Sequence, residues 1–165
     1  MAKPVFDPLQ VPVDRIDNHL AAVPRDRFVA QALEQRFAQP PNWQPEILRE
    51  RKFMDREPAN AAVLMGVVMR DQPTMLLTQR TEHMSTHAGQ VAFAGGKCDA
   101  HDADAAATAL REAYEEVGLE AKYVQVLGEL PTYVTGSAFH VTPVVALIDP
   151  AMQLRINTNE VAHAF

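Results

Sequence analysis

The pattern of apolar and polar positions changes character near residue 60 of this 165-residue chain. Before it, only residues 25–37 (RDRFVAQALEQRF) show a helical period. They place Phe28, Val29, Ala32 and Leu33 on one broad face, which predicts an amphipathic helix stopped by Pro40 and Pro41. Residues 1–23 mix Pro, Asp and apolar positions without period and read as an irregular lead-in. Residues 41–60 hold Pro41, Pro45 and Pro58 among mixed charges and read as a tether with one helical turn at 46–51. Beyond residue 60 strand-like runs dominate. Residues 61–69, the Asp71-Gln72-Pro73 turn and residues 75–79 predict a hairpin. A polar loop at 81–89 leads to a short strand at 90–93, and Gly95-Gly96 punctuates. A helix follows at 103–117 with Gly118 as its C′ residue. Residues 123–127 read as a strand, 131–137 as a loop and 139–148 as a strand whose middle Pro143 demotes to an edge or bulge.

The helix at 105–117 (AAATALREAYEEV) carries the candidate chemistry. At ~100° per residue, Glu115 and Glu116 fall about 60° and 40° to either side of Glu112. The three carboxylates cluster, with Arg111 at their edge. Ala106, Leu110, Ala113, Tyr114 and Val117 fall opposite, so the pattern predicts an apolar inner face and an acidic outer one. As a bare pattern this is a solvated surface helix. Two features point to a cation instead. Like charges at i,i+3 and i,i+4 repel, and only Arg111 offsets them. Glu115 and Glu116 also lie at the negative end of the helix dipole. Carboxylate oxygens suit hard Mg²⁺ or Mn²⁺. Asp99, Asp102 and Asp104 enrich the preceding loop in acids, and Asp104 is the better N-cap.

Composition narrows the classes. Apolar residues make up 47% and charged residues 22%, which excludes a largely disordered or collagen-like chain. The net charge of −6 argues against a general nucleic-acid binder. It allows an anionic substrate if divalent cations stand between. The single cysteine, Cys98, leaves no internal disulfide and points to a reducing, cytoplasmic setting. The apolar run at 61–69 is too short to span a bilayer, so no membrane partner is expected.

Residues 96–119 (GKCDAHDADAAATALREAYEEVGL) resemble a Nudix box. The half made of Arg111, Glu112, Glu115, Glu116, Gly118 and Leu119 matches fully. In the first half the usual glutamate falls at Ala103, with Asp102 one position earlier. That spacing is similar to the coenzyme A diphosphatase subgroup of Nudix hydrolases. The preceding Leu76-Leu77-Thr78-Gln79-Arg80 and His87-Ala88-Gly89-Gln90-Val91-Ala92-Phe93, then Gly95-Gly96, resemble that subgroup's second signature. Thr81, Ser85 and Ala94 depart from it. Ser85 replaces an arginine, which weakens the expected grip on a phosphate, and Ala94 replaces a proline, which should loosen the turn that sets the glycines.

The resemblance implies an α/β fold, a Nudix-type α/β/α sandwich around a mixed sheet. It divides the chain into an N-terminal extension, 1–57, with its one amphipathic helix, and a hydrolase domain, 58–165. Members continue into a further strand and a second sheet-covering helix. The chain is therefore either a truncated form or uses its N-terminal helix as the cover. An uncovered face would favour self-association, and a homodimer stays open. The resemblance further implies Glu112, Glu115 and Glu116 as metal ligands, one doubling as base, with Arg111 orienting Glu112. The Gly96 carbonyl and Glu160 would be further metal ligands, and the cofactor Mg²⁺ or Mn²⁺. Arg80, His87 and Lys97 are the candidate substrate contacts, Arg80 for the 3′-phosphate of coenzyme A. The implied reaction is metal-dependent hydrolysis of the diphosphate linkage of coenzyme A to 3′,5′-adenosine diphosphate and 4′-phosphopantetheine. ADP-ribose or NADH-type dinucleotides, and a nucleotide-binding module without turnover, are the alternatives.

Other candidates carry less. His83 and His87 have helical i,i+4 spacing but lie in a loop without a third zinc ligand. Cys98 has no base at triad spacing. Trp43 and Tyr133 suit either adenine stacking or simple packing.

Overall fold

A computed structural model describes residues 21–45, 49–52, 54–84 and 87–165. Helix α1 spans Ala30–Ala38, followed by β1 (Ala59–Val68), β2 (Thr74–Met75), β3 (Thr78–Arg80), β4 (Val91–Ala92) and β5 (Gly95–Lys97). Helix α2 (Ala105–Val117) precedes β6 (Val124–Glu129), β7 (Tyr133–Val134), β8 (Phe139–Ile148) and β9 (Val161–Ala164). In β1 the period of 2 sets burial. Ala62, Leu64 and Val68 are buried toward α2, while Val63, Met65 and Val67 on the other face are half-buried.

Strands β1 and β8 run parallel in unbroken register from Ala59↔Phe139 to Val68↔Ile148. Strands β2 and β5 share the other edge of β1, and β6 and β7 share the other edge of β8, giving a six-stranded mixed sheet. Strands β4, β3 and β9 form a second sheet of order β4-β3-β9. Helix α2 seals one face of the large sheet. Its Ala109, Ala113 and Val117 join Leu64, Val144, Ala146 and Ile148 in the core. Small side chains along the helix let it lie close to the strands.

The residue patterns placed most elements, with instructive differences. Pro143 does not make an edge, because β8 is central. Its carbonyl accepts Leu130 N–H at 2.9 Å, where the neighbouring strand changes from β7 to β6, so its missing donor falls in that gap. The second hairpin strand splits after Met75. Leu76 N–H still bonds Gly66 O at 2.9 Å, but Leu77 N–H bonds Phe165 O at 2.8 Å, which hands the chain to the second sheet. Gly95-Gly96 is no mere turn. It pairs antiparallel with Ala62 and Val63. A Cβ on Gly95 would strike the Ala62 carbonyl, so only glycine permits this approach. Ala94 is buried, and its carbonyl accepts Leu64 N–H at 2.8 Å, so strand pairing sets the glycines where a loosened turn was expected.

The N-terminal helix is shorter than its pattern. Arg25–Arg27 is a 3-10 turn and Val29, the N-cap residue of α1, makes no side-chain cap. Helix α1 lies over the face opposite α2, at the β6 margin. Phe37 fills the space above Gly128, and Gln125 donates to Glu34 at 3.0 Å. Residues 1–20, most of the expected lead-in, lie outside the described residues, as do Ser85 and part of the turn expected at 46–51.

Asp104 caps α2 by accepting Ala107 N–H at 2.8 Å, and Gly118 closes it in the left-handed region at φ 68°. Asp104→Ala should cost about 1 kcal/mol of stability in urea denaturation. No loss would show that the cap is dispensable to α2.

Candidate active site

Helix α2 is rolled by roughly 80° from the expected orientation. Its buried stripe runs through Thr108, Ala109, Ala113, Glu116 and Val117, with Glu112 half-buried beside it. Tyr114, expected inside, is 58% exposed, whereas Glu116 is only 4% exposed. Reading acids as the outer face misses this, because nothing in helical spacing says that the opposing surface is a glycine strand. Gly96 lies so close that a Cβ there would stand 2.5 Å from the Glu112 carboxyl carbon. Glu115 points outward, its side chain about half exposed.

Arg111 ties these parts together. Its Nε and Nη2 donate to the two oxygens of Asp102 at 3.0 and 2.9 Å, the bidentate pairing that a planar guanidinium suits. Nη2 also reaches the Lys97 carbonyl at 3.0 Å. Nη1 donates to Glu112 Oε1 at 2.8 Å and to Glu115 Oε2 at 3.2 Å. Asp102 further accepts from Thr108 Oγ1 at 2.9 Å and from Asp99 N–H at 2.8 Å. These bonds, Arg111 first, hold its carboxyl well below the usual carboxylate range. Asp102 is a residue that reading the sequence passed over as a partner. The only signal was an acid one position from the usual glutamate.

Four predicted positions line one cleft of about 350 Å³: Arg80, His87, Gly96 and Lys97, together with Phe93 and Phe139. Phe139 had no signal in the sequence beyond its apolar character, and Phe93 entered only as the last residue of the 87–93 signature. Arg80 faces the carboxylates, with Nη1 4.0 Å from Glu116 Oε1 and a buried Nε that has no protein partner. His87 Nδ1 lies 2.9 Å from Gln90 Oε1, and its φ of 56° turns the loop into the cleft wall. Glu160 sits at the start of β9, beside Asn157, whose amide donates to it at 3.2 Å. It adds to the repulsion felt by Glu112 and Glu116. A larger cavity of about 710 Å³ lies away from these groups, among Phe37, Trp43, Leu130 and Pro131.

Burial raises the Glu112 carboxyl against the opposing pull of Arg111. Burial, reinforced by Glu112, pushes Glu116 up to about 7. Among the described residues no group of three or more His, Cys, Asp or Glu side chains is placed to hold a metal ion. The donors fit an open site of the kind that Mg²⁺ uses, with one or two carboxylates and the rest of the shell from water and substrate oxygens. A cation beside Glu112 and Glu116 would also relieve the repulsion that raises both.

The displaced Glu116 titration has a measurable sign. The folded state keeps a proton that the unfolded state, titrating near 4.5, has released. Metal-free stability therefore falls as pH rises from about 4.5 through about 7, and Glu116→Gln removes that loss. In denaturation without divalent cations, the variant should gain on wild type by up to about 3 kcal/mol between about pH 5 and about pH 8. A difference that does not change with pH would place Glu116 in water.

Comparison with known proteins agrees with this geometry. Residues 59–165 match the model of the NUDIX domain. Nudix hydrolase NudL of Yersinia pestis (strain Pestoides F), described as uncharacterized, is 44% identical over 123 residues, 74% of this chain and 62% of its own. The same figures hold for NudL of Yersinia pseudotuberculosis (strain YPIII). The chain thus spans less than two thirds of the length of these relatives. Among solved structures, a C. elegans Ap4A hydrolase binary complex shares 18% identity at a TM-score of 0.53, covering 65% of this chain and 77% of that one. RenU, a Nudix hydrolase from M. smegmatis, shares 24% at 0.52, covering 68% and 71%. The NUDIX domain of Shewanella oneidensis NrtR, complexed with ADP ribose, shares 19% at 0.50, covering 79% of each. These structures are alike in fold. With well over half of its length matched, from β1 to the last residue, the chain belongs to the NUDIX domain family.

Proposed function

We propose that the protein hydrolyses the diphosphate linkage of a nucleoside diphosphate derivative, with Mg²⁺ or Mn²⁺ as cofactor and coenzyme A as substrate. The observation that carries this reading is the meeting of two charge types at one cleft. Glu112 crowds behind Gly96 and Glu116 stands 4.0 Å from Arg80, while Arg80, His87 and Lys97 line the front. An acidic protein has no other use for that cationic lining as direct as an anionic substrate.

Glu112 and Glu116, with the Gly96 carbonyl, would hold the cation, and Glu115 and Glu160 would add negative charge around it. When bound, such an ion neutralises diphosphate oxygens and lowers the pKa of a water to make a nucleophile. The chain's own groups do the rest. Arg111 fixes the Glu112 carboxylate, and Asp102 fixes Arg111. Arg80 stands beside Glu116, which suits the diphosphate better than a distant phosphate. One of the glutamates accepts the proton of the attacking water. The products would be 3′,5′-adenosine diphosphate and 4′-phosphopantetheine.

The choice of coenzyme A rests on the signature at residues 76–96. ADP-ribose or an NADH-type dinucleotide would use the same chemistry, and ADP-ribose accompanies the NrtR domain, which is similar in fold. A binding module without turnover would not need Arg111, Glu112, Glu115 and Glu116 together. We place the protein in the cytoplasm, where the exposed thiol of Cys98 stays reduced. No helix among the described residues is long and apolar enough to cross a membrane.

Hydrolysis of coenzyme A, ADP-ribose and NADH with Mg²⁺ or Mn²⁺ tests the proposal. Coenzyme A should give the highest kcat/KM, and Glu112→Gln and Glu116→Gln should each lower it by about a hundredfold or more. A tenfold preference for ADP-ribose would overturn the substrate while leaving the chemistry. Binding without cleavage of any of the three would establish the module.

A further inference from the structure

Arg56 lies in the strap that enters β1, outside the signature positions and outside the box. Its guanidinium stacks over Phe139, with Cζ 3.9 Å from the ring centroid. Phe139 is one wall of the cleft that holds Arg80, His87 and Lys97. The strap is tied down on both sides of Arg56. Glu50 N–H bonds Val134 O at 2.8 Å, Gly136 N–H bonds Glu50 Oε2 at 2.8 Å, and Ala59 N–H bonds Ala138 O at 3.1 Å. The stack is therefore built into the fold by a bracing of the strap against the β7–β8 connection.

A guanidinium stacked on an aromatic ring has its plane fixed and its N–H edge free, which is the geometry for gripping an oxyanion with two bonds. Arg56 is exposed, and the ring it stacks on lines the cleft. The register fixes how far it stands from the carboxylates. Ala61 pairs with Lys97 on one side and with Val141 on the other, and Ala59 pairs with Phe139. Phe139 is thus two strands across and two residues along from Lys97, roughly 12 Å away. Arg80 lines the same cleft, with Nη1 4.0 Å from Glu116 Oε1. Lys97 and the Phe139 ring that carries Arg56 thus mark two separate places along the cleft, at a distance that one nucleoside spans.

We infer that Arg56, positioned by Phe139, binds a second phosphate of the substrate, a phosphate monoester on the nucleoside remote from the scissile diphosphate. The inference rests on the diphosphatase reading and deepens it. It makes the N-terminal strap part of substrate selection, and it assigns the remote phosphate to Arg56 while Arg80 stays with the diphosphate.

The test compares coenzyme A with dephospho-coenzyme A, which lacks only that monoester, in wild type, Arg56→Ala, Arg56→Lys and Phe139→Leu. Wild type should prefer coenzyme A. Arg56→Ala should reduce the kcat/KM ratio of the two substrates by about tenfold or more, equivalent to roughly 1.4 kcal/mol, chiefly through KM. Arg56→Lys and Phe139→Leu should lose part of the ratio, because each removes the fixed fork and leaves a cation. Calorimetric binding of adenosine 3′,5′-bisphosphate against AMP reads the same contact without turnover, and Arg56→Ala should abolish the preference for the bisphosphate. A ratio and a binding preference that Arg56→Ala leaves intact would overturn the inference. So would an equal loss on both substrates. If wild type cleaves neither coenzyme, the diphosphatase reading fails, and the calorimetric pair alone decides for or against Arg56.

Discussion

The Arg111 guanidinium is the joint on which this site depends. Its donors are shared among a loop carboxylate, a strand carbonyl and two carboxylates of its own helix. A partly buried cation in that position is stabilised only while its acceptors hold their places. Loss of one partner would leave charge desolvated without compensation. Loop, strand β5 and helix α2 are thereby fixed relative to one another at the same point where Glu112 must be aimed. The bidentate bond to Asp102 takes up the guanidinium's outer edge, which leaves Nη1 to reach toward the carboxylates. A lysine could not do this, because a single ammonium has no planar edge to divide among separate acceptors.

The second constraint is the close approach of a strand to a helix. Gly95 brings its backbone against β1, and at Gly96 the Glu112 carboxylate fills the room where a side chain would ordinarily stand. This explains why acids lie on a buried stripe without being ordinary core residues. Their desolvation is offset in part by Arg111 for Glu112 and by Arg80 for Glu116. The residual repulsion makes the site receptive to a cation. A site already satisfied by lysines would have no such appetite.

What could be read from the residues followed from period and punctuation. Strand β8 has the bounds that its apolar run suggests, and β1 agrees to within a residue or two at each end. Asp104 and Gly118 mark the ends of α2 through chemistry that is local. The misreadings share a different origin. Strand β5 is Gly-Gly-Lys, with no strand propensity of its own. It forms because β1 offers a free edge and because glycine alone fits beneath α2. The roll of α2 depends on that same strand, so a helical wheel drawn in isolation turned the acids outward. Pro143 sits in a central strand because its neighbour changes at that residue. Each of these is a property of pairing between distant segments, which no window along the chain contains.

The candidate site was legible in the same uneven way. The Arg-Glu-x-x-Glu-Glu pattern announced carboxylates in one place, and their geometry now separates Glu112 and Glu116, facing inward, from Glu115, facing solvent. Asp102 and Arg56 lay outside any spacing rule, because what matters in each is the partner reached across the fold: Arg111 for one, Phe139 for the other. On the proposed reading this division has a functional logic. Glu112, Glu116, Arg80 and Lys97 come from α2, β3 and β5, which are braced by the core, while Arg56 comes from a strap laid over β7 and β8, outside it. A change in the strap would then alter the preferred substrate without disturbing the carboxylates, whereas a change in α2 touches packing and charge together. A fold arranged this way could keep one reaction while its choice of substrate drifts, and the residues setting that choice would be the ones least visible in the motif.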